Sequence, residues 1–120
     1  MEYHFTDDKP IYAQLVEIFK TEIISGQWQK GSRLESVRDL ALKAKVNPNT
    51  MQKALSELER LELVKTERTS GRFVTDDEEK IGEMRRQVAD AEVGAFIKKM
   101  QALGFAKDEL PDLVKNKLEE

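Results

Sequence analysis

The side chains of this sequence best suited to chemistry are short and polar, and they gather at three points. Asn47-Pro48-Asn49-Thr50, followed by Gln52 and Lys53, places amide, hydroxyl and ammonium groups close together. Ser36 and Arg38 form a second point, and Thr69-Ser70-Gly71-Arg72 a third. Asn and Gln each carry a donor beside an acceptor, the arrangement that pairs bidentately with an adenine edge. Thr can meet a base edge or a methyl group, and Arg and Lys meet phosphate oxygens. This is recognition chemistry, in which no covalent bond changes. A covalent reaction would need groups that are missing or scattered. The chain has no cysteine and one histidine, His4. It shows no Ser/His/Asp set, no phosphate-cradling glycine loop and no isolated carboxylate pair, so enzyme activity has little support and no cofactor or metal is expected. Asp76-Asp77-Glu78-Glu79 reads as a helix start, because carboxylates favour the positive end of a helix dipole. Trp28, Met84 and Met100 read as packing residues.

The elements that must hold these points follow from periodicity and punctuation. Residues 1–8 look like an arm. Pro10 opens a helix, with Ile11, Leu15, Ile18, Phe19 and Ile23 at helical spacing, and Gly26 ends it. Gln27 to Arg33 reads as a loop. Ser36-Val37-Arg38-Asp39 has the form of a capping box for a short helix ending near Ala44. Asn47 is a good N-cap with Pro48 at the first helical position, and Met51, Ala54, Leu55, Leu58 and Leu61 make that third helix's apolar stripe. The period then changes. Residues 63–68 and 72–75 read as two strands around a Thr69-Ser70-Gly71 turn, a small β-hairpin with a basic rim. A long helix is predicted to about Leu103, its apolar face running Ile81, Met84, Val88, Ala91, Ala95, Phe96, Met100 and Leu103. A last helix is predicted over about 107–118, with Leu110, Leu113, Val114 and Leu118 aligned.

The order helix, short capped helix, tight turn, helix, β-hairpin predicts a mainly α fold with a small β-hairpin wing, a winged helix-turn-helix over residues 1–75. Residues 76–120 are predicted to be a two-helix C-terminal dimerisation segment. The net charge of −3 argues against nucleic acid only until it is divided. Residues 1–29 carry −3, residues 30–75 carry +4 and residues 76–120 carry −4. The positive charge therefore coincides with the three polar points, and a local basic face decides how a protein meets phosphates. No run of about 18 apolar residues spans a membrane. With no signal-peptide pattern at the start and no cysteine, a cytoplasmic location is expected.

The chain resembles the GntR family of bacterial transcription regulators, and within it the short YtrA-type subfamily. The resemblance is carried by Pro10-Ile11-Tyr12 with Gln14, by Gly31-Ser32-Arg33-Leu34-Glu35-Ser36-Val37-Arg38-Asp39-Leu40-Ala41, by Val46-Asn47-Pro48-Asn49-Thr50 and by Gly71-Arg72-Phe73-Val74. It implies that Arg38 contacts DNA from the second helix. By the same resemblance Asn47, Asn49, Thr50 and Gln52, with Pro48 between them, are recognition-helix contacts, and Thr69, Ser70, Gly71 and Arg72 are the wing tip. Ser36 matches a capping serine that also lies near phosphate, and Lys53 joins the same helix face. Three departures stand out, one of them a wing turn with a single glycine, Gly71. Glu35 occupies a position where the family usually has proline, and Glu62 one where it usually has glycine. The family's larger members carry an effector domain; two helices make a poor ligand cavity and a good dimer clasp.

These observations imply a sequence-specific DNA-binding regulator. The expected form is a repressor acting as a homodimer on a palindromic double-stranded operator, with one recognition helix per half-site. An unidentified small-molecule effector could alter the spacing of the two heads. The alternative is a winged-helix protein-interaction module without specific DNA binding; Asn49, Thr50, Gln52 and Lys53 favour DNA over it.

Overall fold

A computed structural model describes residues 2–120. The elements, in chain order, are α1 (Ile11–Ile24), α2 (Val37–Ala44), α3 (Pro48–Arg60), β1 (Val64–Glu67), β2 (Gly71–Val74), α4 (Glu78–Ala102), a 3-10 turn (Lys107–Glu109) and α5 (Leu110–Leu118). The chain divides into two compact units, one ending at Glu83 and one spanning Met84–Glu120.

In the first unit, the helical spacing seen in the sequence closes a core. Leu15, Phe19 and Ile23 of α1 are buried with Leu40, Ala41 and Ala44 of α2 and with Met51, Ala54, Leu55 and Leu58 of α3. Both α1 and α2 pack on α3, so α3 is held on two sides. Leu63, Val64 and Val74 extend this core into the hairpin. The aromatic residues continue it outward. Trp28 stacks on Phe19 with ring centroids 4.7 Å apart, and Tyr3 meets Phe19 edge-on at 6.4 Å. Burial, then the charges of Glu35 and Glu22, push the Tyr3 phenol above its ordinary pKa. The arm is also tied down by Gln14, whose amide accepts from the Thr6 N–H and donates to the carbonyls of Thr6 and Lys9.

The helix ends are set locally. Ser36 Oγ accepts the Asp39 N–H at 3.1 Å, and Asn47 Oδ1 accepts the Asn49 N–H at 2.8 Å. Each satisfies one of the donors that a helix start leaves unpaired. The turn between α2 and α3 passes through Lys45 at φ 57°, and α3 is followed by Glu62 at φ 64°. Glu62 thus takes the left-handed conformation where glycine is unstrained, and Lys80 pairs with its carboxylate at 3.0 Å.

β1 and β2 pair antiparallel, with Val64 opposite Val74 and Glu67 opposite Gly71. Gly71 is therefore the first residue of β2, and the turn is Arg68-Thr69-Ser70, one residue earlier than the sequence predicts. The segment expected to be a loop is also partly ordered against the sheet. The Gly31 N–H donates to the Val74 carbonyl, the Val74 N–H to the Ser32 carbonyl and the Leu34 N–H to the Arg72 carbonyl. Arg33 bridges Phe73, so residues 31–34 line the free edge of β2. Such long-range pairing leaves no mark in local periodicity.

The second unit contains α4 from Met84 onward, the 3-10 turn and α5. Gly104, at φ 98°, terminates α4, and the Glu109 carboxylate accepts the Ala106 N–H at 2.8 Å to start the next turn. Leu110 is buried, whereas Val93, Phe96, Leu103, Leu113, Val114 and Leu118 are exposed.

Candidate nucleic-acid interface

α3 separates its residue types cleanly. Met51, Ala54, Leu55 and Leu58 face the core, and Asn49, Gln52, Lys53 and Ser56 recur at the same helical spacing on the exposed side. Asn47, Pro48 and Asn49 are exposed at the helix start, and Thr50 is half-buried. The first acidic residue of the helix is Glu57, and α3 has none in its first turn. Its leading face therefore presents amides and hydroxyls with no carboxylate to repel phosphate, beside the positive end of the helix dipole. Gln52 donates to Ser56 Oγ at 3.3 Å. Ser56 was not among the residues expected from sequence; its signal was the i+4 spacing from Gln52. The Lys53 ammonium lies 3.9 Å from the centre of the Tyr12 ring, a cation–π contact that ties this cation to α1.

Arg38 is exposed in the first turn of α2 and forms no ion pair among the described residues. The Ser36 hydroxyl is engaged as the α2 cap. Lys43 pairs with Glu35, so the carboxylate standing in proline's usual place is neutralised by its own helix.

An open groove of about 760 Å³ runs between the α2 start and the wing. It brings together Ser36, Thr69, Ser70, Gly71 and Arg72 of the predicted set, and adds Arg33 and Arg68. Arg38 and the leading turn of α3 are not among its lining residues. Arg68, Thr69 and Ser70 are exposed at the hairpin turn. Arg72 is not: its side chain is 21% exposed, and its Nε donates to Glu59 Oε1 of α3 at 2.9 Å. Thr66 Oγ1 donates to the same oxygen at 2.6 Å. Burial pushes the Glu59 carboxyl up, but the hydrogen bonds from Arg72 and Thr66, together with the Arg72 charge, outweigh it and hold its pKa below the ordinary value.

The gntR family of bacterial regulatory proteins matches residues 11–74, from the start of α1 to the end of β2. The chain belongs to the gntR family. Across the whole length it is similar to an uncharacterized HTH-type transcriptional regulator, YhcF of Bacillus subtilis, with 35% identity over 96% of this chain and 95% of that one. It is 38% identical to the HTH-type transcriptional repressor YtrA of the same organism over 57% of this chain and 52% of that protein. Among solved structures, a GntR family transcriptional regulator from Listeria monocytogenes superposes with a TM-score of 0.85 at 40% identity, covering 93% of this chain and 98% of that one. The winged helix of this gntR member is thus the part that the family shares, and the likeness to YhcF and to the Listeria protein runs on through α4 and α5. No helix among the described residues is long and apolar enough to cross a membrane.

Proposed function

We propose that this gntR-family protein is a transcriptional repressor that binds a palindromic operator as a homodimer. The observation that carries the DNA reading is the exposed, carboxylate-free leading face of α3. Asn47, Asn49, Thr50, Gln52 and Lys53 would read base edges there, with Pro48 fixing the entry of the chain. Arg38 and the α2 start would hold phosphate, and Thr69, Ser70 and Gly71 would bring the wing tip to the backbone. Residues 1–75 are the DNA-binding part in this reading, and residues 76–120 the clasp. The clasp is supported by exposed apolar side chains on α4 and α5, among them Phe96, Leu103 and Leu118. A second copy would cover them and set two recognition helices about 34–36 Å apart, one helical turn of DNA. An effector would act by changing that spacing. The protein acts by binding and performs no covalent step, in the cytoplasm.

The test is a gel shift of duplex DNA from the promoter region of the protein's own operon. Retardation at low salt, weakening steeply as salt rises, is expected. No retardation at low salt would sink the DNA reading and leave a protein-interaction module.

A further inference from the structure

The family resemblance gives the wing arginine, Arg72, to DNA, but the geometry gives it another partner. We propose that Arg33 is the wing's phosphate-binding arginine and that Arg72 is a positioning residue, fixing the hairpin to the recognition helix through Glu59. The proposal rests on the DNA-binding reading and assigns two of its residues.

Arg72 is spoken for. Its guanidinium is largely covered, and it shares Glu59 Oε1 with Thr66, so β1, β2 and α3 meet at one carboxylate oxygen. Turning Arg72 outward to DNA would break its bond to Glu59 Oε1 and leave Thr66 as the remaining donor to that oxygen. Held inward, the same pair fixes where the wing stands relative to the face of α3 that reads bases.

Arg33 is free. It is exposed and has no ion-pair partner among the described residues. It sits on residues 31–34, the strip that lines β2, opposite Phe73. Its guanidinium lies over Gly71: a Cβ added there would be 3.0 Å from Nε and 3.3 Å from Nη2. Gly71, at φ 106°, therefore supplies both the left-handed start of β2 and the space in which this arginine lies. Arg33 faces the open groove whose other wall begins at Ser36, with Arg68 extending the positive rim. Three carboxylates line the same groove: Glu35, which Lys43 neutralises, and Asp39 and Glu67. The occupant that this arrangement fits is one sugar-phosphate strand of duplex DNA, with a phosphate oxygen at the Arg33 guanidinium.

The experiment measures affinity of the full chain by fluorescence anisotropy from 50 to 200 mM salt, on the promoter duplex and on an unrelated duplex of equal length. Arg33→Gln should weaken both and flatten the slope of log K against log salt by about 0.9 per protomer, the signature of one lost phosphate contact. Arg72→Gln should keep the wild-type slope and reduce the preference for the promoter duplex, because the wing is no longer held in register with α3. Glu59→Gln should reduce the same preference while leaving the arginine in place, which covers the case in which Arg72→Gln does not fold. An unchanged slope for Arg33→Gln, a slope flattened by Arg72→Gln, or an unaltered preference in Glu59→Gln would each overturn the assignment. If the wild-type protein binds neither duplex, the DNA reading itself fails, and that is visible before any variant is measured.

Discussion

Leu15, Phe19, Leu55 and Leu58 of the first unit have no exposed surface, whereas Leu103 and Leu118 of the second are 72% and 79% exposed. Both units carry apolar residues at helical spacing in sequence. They differ in that α1 and α2 pack on both sides of α3, while Phe96, Leu103, Leu113, Val114 and Leu118 of Met84–Glu120 remain exposed. A buried stripe stabilises the chain that carries it. An uncovered one stabilises only what comes to cover it.

That contrast can be broken most sharply at Leu55. Leu55→Ala deletes completely buried atoms from the face of α3 that both helices touch, and urea unfolding should show a loss of about 2–5 kcal/mol. Leu118→Ala in the second unit should cost a dilute sample almost nothing; a comparable loss would mean that α5 is already buried in the single chain. Phe96→Glu tests the other half. It places a charge on the exposed face of α4 and should raise the dimer dissociation constant in sedimentation equilibrium by at least tenfold, about 1.4 kcal/mol. Unchanged sedimentation would count against the proposed clasp. Asn47→Ala removes the α3 cap, and a loss of about 1 kcal/mol is expected in thermal unfolding, separately from any loss of base contact. Glu62→Gly should stabilise the first unit by about 0.5 kcal/mol, since relief of a left-handed residue outweighs both a surface ion pair and the extra freedom of an unfolded glycine.

The smallest effect is the pH dependence of Glu59. Its folded pKa lies below the ordinary carboxyl value, so the stability it contributes is present above that ordinary value and fades as pH falls through the folded one. Glu59→Gln should therefore lie below wild type at neutral pH and converge with it as pH falls below about 4. Parallel curves would show that the Arg72 pair contributes nothing to folding.

The outward face of α3 was largely legible in the sequence, apart from the half-buried Thr50 and the unexpected Ser56. Asn47 and Pro48 announce the helix start, and the stripe of Met51, Ala54, Leu55 and Leu58 leaves Asn49, Gln52 and Lys53 facing outward. The wing was legible as a hairpin but not as a working surface. Its turn is displaced by one residue, and the strip from Gly31 to Arg33 along β2 was read as loop because its partners lie some forty residues away.

The sequence by itself determined the helices, their caps and their inward and outward faces. These depend on neighbours three or four positions apart, which any reading of the chain can see. It also placed the positive charge in residues 30–75. Only the tertiary structure decided which of those cations remain free. Arg72 lies thirteen residues from Glu59 and thirty-nine from Arg33, and nothing in its local pattern tells that α3 will present it a carboxylate while Arg33 is left over the glycine beside it. Arginines alike in sequence part company there because an ion pair forms wherever folding brings opposite charges together, at whatever separation along the chain.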